Sequence, residues 1–343
     1  MRTFVRLLWL IVLSYTVLLC LSFIYPQNFR NENRWYLLGV SALFLVRLGM
    51  FHFGLLSVTA FGIALVLRRQ KLAILSLVLG LVCIAPYAWN ARSKSPPPAA
   101  GKTIRIFTIN AFARNREPQK VVEMIRQANP DLIVFVELTG KTAEKILPQI
   151  EEDYPHANYA TYPSAATIFS RIPFRVEPHA PTNDWNAMRP AIVFELDGRE
   201  VALYGVHLLS PSRTLKQESS LKLIGTLGFA MKVNRSQIVG IESILQTSKY
   251  PCIFAGDFNF PPYTPSFERL TELGLSDAHR MAGTGLGNTW RPIWWKPLAP
   301  FARAQLDHVF ITNELTITNC EVGPDVGSDH FPVIVDVGWR KLE

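Results

Sequence analysis

The chain has 343 residues, 49% of them hydrophobic, and a formal net charge of +8. Ten of its 35 basic side chains, but only Glu32 of its 27 acidic ones, lie in the first hundred residues, a local charge of +9. Residues 101–343 hold the other 25 basic and 26 acidic groups, about −1. The excess is confined to one end, which excludes bulk charge as a sign of a basic nucleic-acid-binding face, and the length leaves room for more than one domain.

Residues 5–25 are largely apolar, interrupted by Arg6, Ser14 and Thr16 among few polar positions, and long enough to cross a hydrocarbon core of roughly 30 Å. A second such stretch covers residues 48–67, and a third covers 72–89 and ends on the interfacial pair Tyr87 and Trp89. Three stretches without a polar face exclude a single cleaved signal peptide and argue against a buried helical core. Residues 35–46 are too short to span and are closed by Arg47, which suits an interfacial or re-entrant piece. Residues 1–92 therefore read as a multi-pass segment of the cell membrane with about three helices and the lipid bilayer as partner. Arg2 and Arg6 share a side with Arg68, Arg69 and Lys71 under the positive-inside rule, which places everything after the third span outside the cytoplasm. Arg30, Arg34, Arg92 and Lys94 then fall on the outer side, against that rule.

Residues 93–102, with three consecutive prolines at Pro96, Pro97 and Pro98, read as a stiff, extended linker. From 103 to 343 the pattern becomes an α/β alternation. Residues 103–109 alternate like a strand. Pro118 opens a helix whose apolar stripe is Val121, Val122, Ile125 and Ala128, and Asn129-Pro130 ends it. Residues 132–136 form a buried strand that ends on Glu137, and 201–206 form another that ends on His207. A helical region over 214–247 precedes a strand at 252–255 that leads to Asp257, and residues 304–311 and 333–337 supply the remaining strands. Glu137, His207 and Asp257 thus each follow an apolar strand, with Asn110 at the end of the first one. Polar groups so placed face the crevice beyond a sheet edge, where open α/β sheets build sites. Any one of them alone would more often be a turn or structural residue; several in register are not.

Near the C-terminus, Ser328-Asp329-His330 sets an acid beside an imidazole, after Gly256-Asp257-Phe258-Asn259 and Leu306-Asp307-His308. Such groups suit attack of a metal-activated water on a phosphate ester: hard oxygen ligands for the metal, a base for the water, donors for the developing charge. The four cysteines show neither paired nor metal-type spacing, so no structural disulfide is expected.

These stretches, with Ile106–Asn110, Asp131–Glu137 and Val206-His207-Leu208, occur in the order found in the endonuclease/exonuclease/phosphatase superfamily, which residues 103–338 resemble. The end of the chain, from Thr289-Trp290 onward, is similar to a bacterial subgroup with N-terminal membrane helices. The resemblance implies a four-layer α/β sandwich, two sheets flanked by helices. It implies that Glu137 is the principal metal carboxylate, with Asn110 and Asp329 supporting it. Asp257 and Asn259 would orient the water and hold the phosphate. His330, held by Asp307, would act as base or phosphate contact, and His207 as acid for the leaving oxygen. Phe112 stands where the family often has an acid, which favours one Mg²⁺ over two, with Mn²⁺ as a substitute. His308 stands where Tyr is frequent and is expected to pack.

Arg171 and Arg189 fit positions near the site, for phosphate contact or as plain surface residues. Trp290 opens an aromatic, proline-rich loop with Trp294 and Trp295 that suits base stacking, membrane anchoring or packing on itself. The sequence thus points to a membrane-anchored, metal-dependent phosphoesterase acting on nucleic acid or on a phospholipid or sphingolipid head group, with no obligate protein partner. The rival is a non-catalytic, tethered binding domain that keeps the fold.

Overall fold

The computed structural model describes residues 2–25, 27–159, 166–177, 191–209, 223–292 and 302–341. Four helices come first: α1 (Arg2–Ile24), α2 (Arg34–Leu48), α3 (Met50–Val66) and α4 (Gln70–Ala91). Helices α1 and α4 are long and apolar enough to cross a membrane. Helices α2 and α3, bent by 61° at their junction, pass the same test as a pair, so two or three spans are available. Gly54 on α3 lies against Cys83 and Ile84 of α4, while Gly80 lies against Val58; a Cβ on either glycine would come within 3 Å of its neighbour. The pair is therefore a close antiparallel hairpin, the contact that small residues allow between apolar helices.

Helix α2 does not continue the apolar hairpin. Asn33 caps it, accepting from the backbone of Trp35 and Tyr36, and its inner face turns toward the rest of the protein. Phe44 is buried in the same cluster as Met231, Ile238 and Phe267. Arg47, 1% exposed, pairs with Glu268 and lies over the Phe23 ring.

The remaining elements alternate. They are β1 (Ala99–Asn110), α5 (Pro118–Ala128), β2 (Leu132–Val136), α6 (Gly140–Ile146), β3 (His156–Asn158), β4 (Thr167–Ser170), β5 (Phe174–Glu177), β6 (Ala191–Leu196) and β7 (Arg199–His207). Next come α7 (Leu223–Thr247), β8 (Cys252–Asp257), α8 (Pro265–Glu272), β9 (Ser276–Asp277), α9 (Ala278–Ala282), β10 (Asp307–Ile311), β11 (Leu315–Val322) and β12 (Val333–Arg340). They form two six-stranded sheets, ordered β11-β12-β1-β2-β4-β3 and β5-β6-β7-β8-β10-β9. Side chains such as Ile106, Val134, Leu203, Ile253 and Val335 fill the space between the sheets. Helices α5 and α6 cover the outer face of the first sheet, and α7 and α8 cover that of the second. This is the four-layer sandwich.

Local chemistry explains the boundaries. Pro118 begins α5, where its missing N–H costs nothing, and Asn129 ends it in the left-handed conformation with φ 48°. Strand β1 starts earlier than the alternation at 103 suggests: Ala99 and Ala100 already pair with Arg340 and Trp339, so the end of the expected linker belongs to the sheet. Gly256 allows β8 to lie tightly beside β7. Its φ is +142°, and a Cβ there would stand 2.0 Å from the Val206 carbonyl oxygen.

Gly256→Ala should therefore cost about 3 kcal/mol or more. Gly285→Ala, at a positive φ but facing open space, should cost about 1 kcal/mol. Thermal unfolding of the detergent-solubilised full chain compares the two; equal losses would mean that β8 has room the structure denies it.

Candidate active site

Both sheets deliver polar residues to one edge of the sandwich. In the second sheet the register is decisive: His207, last residue of β7, pairs with Asp257, last residue of β8, and Asp257 pairs on its other side with Asp307, first residue of β10. One row across three strands thus carries imidazole, carboxylate, carboxylate. The first sheet contributes Asn110 from the end of β1 and Glu137 just beyond β2. Glu137 turns with φ 54°, which ends the strand and sets its carboxylate 3.7 Å from His207 Nε2. Asp329 and His330 come from the loop before β12 and are buried.

Asp257 is held on both oxygens. Asn110 Nδ2 donates to Oδ2 at 3.1 Å and the Asn259 backbone N–H donates to Oδ1 at 2.9 Å. Burial pushes its pKa up and the Asp307 charge adds to that, while His330, His207 and Asn110 oppose. His330 Nδ1 donates to Asp307 Oδ2 at 2.7 Å, and its Nε2 lies 3.8 Å from Asp257 Oδ2. Burial alone would lower the His330 pKa, but the charges of Asp307 and Asp257 outweigh it and raise it to about 10. Without a cation in the site the imidazole is therefore a double donor at neutral pH. Burial also raises the Asp329 pKa, with Glu137 adding to the rise and His330 opposing it.

Two residues given no role from the sequence hold this arrangement together. Thr289 Oγ1 accepts from the backbone of Leu306 and Asp307 at 3.0 and 2.9 Å. Ser328 Oγ donates to the Asn110 carbonyl at 2.7 Å and accepts from the His330 N–H at 3.0 Å, tying the C-terminal loop to β1. Both stand inside the stretches Thr289-Trp290 and Ser328-Asp329-His330, which was their signal in the sequence.

The other expected residues divide. Asn259 donates its amide to the Leu208 carbonyl at 2.9 Å beside the row. Trp290 bridges through its backbone to His330 on one side and Ala304 on the other, so it stands at the site. Residues 293–301 of its loop, with Trp294 and Trp295, lie outside the described residues, as does Arg189. Arg171 is a correction. Strand β4 runs antiparallel to β2, with Ser170 opposite Leu132, so Arg171 emerges at the far end of the sheet, about one strand length or ~17 Å from Glu137. There it stacks over Tyr154 at 4.7 Å and donates to Asn129. His308 packs as expected, with Nδ1 2.9 Å from Asp277 Oδ2 and Nε2 3.0 Å from the Phe260 carbonyl, among Phe258, Phe267 and Phe310.

The residues fit a hard divalent cation. Glu137 and Asp329 offer carboxylate oxygens, and a cation held by them would relieve the burial and the Glu137 charge that raise the Asp329 pKa. A second group, Asp257, Asp307 and His330, has ligand atoms within 4.8 Å of one another, and Asp307 Oδ1 is buried without a hydrogen-bond partner among the described residues. Its imidazole is held as a cation, though, and a metal needs it neutral. Asn110 spends its amide nitrogen on Asp257 and its oxygen on the Phe112 N–H at 3.0 Å, keeping one oxygen lone pair for a metal.

The architecture is that of a phosphate-ester hydrolase built on two facing sheets. A model described as the endonuclease/exonuclease/phosphatase family matches residues 87–330, and the chain belongs to that family. Among solved structures, an endonuclease/exonuclease/phosphatase from Beutenbergia cavernae DSM 12333 is similar with TM-score 0.50 at 20% identity, covering 70% of this chain and 72% of that one. A family protein from Leptotrichia buccalis C-1013-b matches with TM-score 0.50 at 18% identity over 69% of this chain and all of its own. The 3′ phosphatase NExo from Neisseria, bound to product DNA hairpin, matches with TM-score 0.51 at 18% identity, again over 69% of this chain and 100% of that one. At these identities the likeness is one of fold. No curated protein matches the chain.

The raised His330 pKa makes a pH prediction with a defined sign. Its folded value stands above the ordinary 6.5, so its contribution to stability is complete below about pH 6.5 and fades as pH rises toward 10. In chelator, the difference in thermal midpoint between wild type and His330→Asn should narrow across that window. A difference that widens would mean the imidazole is neutral there.

Proposed function

We propose that the chain is a membrane-anchored, Mg²⁺-dependent phosphoesterase that hydrolyses a phosphodiester or phosphomonoester. The observation that carries this reading is the row His207–Asp257–Asp307 closed by the His330–Asp307 hydrogen bond. It combines a carboxylate of raised proton affinity with a protonated imidazole beside it, the pairing that proton transfer near neutral pH requires.

Asp257 accepts the proton of the attacking water; Asn110 and Asn259 fix its two oxygens in place. His330 turns its Nε2–H toward the phosphate oxygens, and Asp307 holds the ring and stabilises its charge. His207, one strand away from Asp257, donates to the leaving oxygen. Trp290 forms the wall beside His330. Glu137 and Asp329 hold the cation, with Asn110 in support, and their all-oxygen character suits Mg²⁺ or Mn²⁺ over Zn²⁺. When bound, the cation neutralises phosphoryl charge and acidifies water. The alternative of a tethered binding domain would tolerate loss of these groups, and the set is complete.

The anchor follows from the helices. Of 28 large apolar side chains exposed among the described residues, 25 lie between Phe4 and Trp89, a surface that water does not tolerate. The α3–α4 hairpin puts Met50 and Ala91 toward the sheets and Arg68 and Arg69 at the far end, so an odd number of spans sets the catalytic portion outside the cytoplasm. The basic residues that offend the positive-inside rule have structural partners. Lys94 Nζ donates to the carbonyls of His279 and Gly283 at 2.9 and 2.6 Å, Arg30 faces Glu242 at 3.8 Å, and Arg92 lies over Trp89.

Chelation should abolish activity of the full chain toward bis(p-nitrophenyl) phosphate, and Mg²⁺ should restore it. Glu137→Gln should remove most turnover without unfolding the protein. Full activity in excess chelator would refute the metal-dependent mechanism.

For topology, a phosphatase-type reporter fused after residue 343 should be active outside the cytoplasm, and a fluorescent protein at the same place should be dark. The reverse pattern would turn the catalytic portion inward.

A further inference from the structure

Asp307 holds the His330 imidazole, yet only one of its own oxygens is secured. Oδ2 accepts from His330 Nδ1 at 2.7 Å, while Oδ1 is buried with no hydrogen-bond partner among the described residues. Gln305, two residues earlier, is 4% exposed and has the same gap: its Oε1 is buried and unpartnered among those residues. Both side chains belong to residues that line one small cavity beside β10, together with Thr289, Asp277 and His308, and its free space suits about one water molecule.

The hydrogens on His308 decide how Gln305 lies. Nε2 of that ring faces the Phe260 carbonyl at 3.0 Å, so it donates there. Nδ1 stands 2.9 Å from Asp277 Oδ2. Burial alone would raise the Asp277 pKa, but the hydrogen bond and the charge of His308 outweigh it and lower it. The acid is therefore ionised, and Nδ1 donates to it. That leaves the ring no lone pair for Gln305, whose Nε2 lies 3.2 Å from Nδ1. A carboxamide keeps its shape when oxygen and nitrogen are exchanged, so its partners decide which is which. With the oxygen toward His308, Gln305 shares the Nδ1 hydrogen, and its N–H groups take the place of the unpartnered acceptor. One turn of the amide removes a donor–donor clash and supplies a donor to the cavity.

Resting on the phosphoesterase reading above, we propose that Gln305 is a positioning residue of the reaction, giving an N–H to one water in this cavity that in turn donates to Asp307 Oδ1. The Asp307 carboxylate is then held on both oxygens, as that of Asp257 is, and cannot swing about its bond to Cβ while it steers His330. Thr289 completes the water's shell. Its hydroxyl oxygen accepts from the backbone of Leu306 and Asp307 and keeps its own hydrogen to give. Donors on two sides suit a water and not a metal cation. Two buried imidazole–carboxylate pairs, His308–Asp277 and His330–Asp307, are thus joined through one carboxamide.

The test uses the detergent-solubilised full chain with Mg²⁺ and bis(p-nitrophenyl) phosphate. Gln305→Glu has the same shape and keeps an acceptor for His308, but it loses the donor and sets a second negative charge near Asp307. It should lower kcat roughly tenfold to a hundredfold, the scale of a misplaced catalytic group, with KM little changed. If Gln305 served only to hold His308, this variant would match wild type, and that result overturns the proposal. Asp277→Asn can keep the cap on the Arg280 N–H but frees His308 Nδ1 to accept from Gln305, which turns the amide back. It too should lower kcat, and an unchanged kcat refutes the link. Thermal unfolding in chelator gives a readout without catalysis: the midpoint loss from Gln305→Glu should shrink in an Asp307→Asn background, because the two groups act on each other. Equal losses in both backgrounds overturn the contact. If the wild type cleaves nothing, the phosphoesterase reading fails and the positioning role with it, while the midpoints still decide whether Gln305 and Asp307 are joined.

Discussion

Asp257 is buried, and most of what surrounds it answers the cost of burying a carboxylate. An isolated buried charge would be expelled or neutralised; here His330, His207 and Asn110 oppose that cost, although Asp307 adds to it. Asn110 from the other sheet and the backbone of Asn259 each give one hydrogen bond, and His330 stands opposite as a counter-charge that is itself secured by Asp307. The arrangement requires two sheets to meet at one edge, since Asn110 cannot reach Asp257 otherwise. It also requires β7 and β8 to lie so close that only glycine fits at position 256. Fold and chemistry meet at this residue.

The helical segment is joined to the sheets by more than a tether. Helix α2 packs Phe44 into the core beneath α7 and buries Arg47 against Glu268. Arg235, buried within α7, donates to Gln27 and to the Tyr36 hydroxyl from the opposite direction. Removing Glu268 would leave the buried Arg47 guanidinium uncompensated, which is expensive. The sandwich is therefore oriented relative to the apolar helices and does not swing freely on the proline-rich stretch that joins them.

Much of the site was legible because buried strands advertise themselves. The run at 132–136 ends on Glu137 and that at 252–255 leads to Asp257, and continuous apolar residues followed by an acid are informative whatever the tertiary context. The stripe on α5 was legible for the same reason. Strand direction was not. Arg171 follows a strand just as Glu137 does, but β4 runs opposite to β2, and nothing within four residues of β4 encodes that. Strands β3, β4, β5, β6, β9 and β11 escaped notice; all but β6 are short or interrupted by polar residues, and their identity comes from the partners they pair with. The docking of α2 was equally hidden. An interfacial piece was expected at 35–46, but the residues that receive it, Lys232, Arg235 and Glu268, lie about two hundred positions away.

Strand β1 pairs with β12 along most of its length, and Arg105 grips Asp336 with two hydrogen bonds at 2.7 and 2.9 Å. The first strand to be synthesised thus waits for the last of the described strands before its sheet can close. Contacts of such sequence separation make folding slow and leave apolar strands unprotected meanwhile. The helices, by contrast, are made first and form from local contacts. The apolar helices consequently form before the sandwich, which assembles late, on a platform already in place, with the outer face of its second sheet closing onto α2.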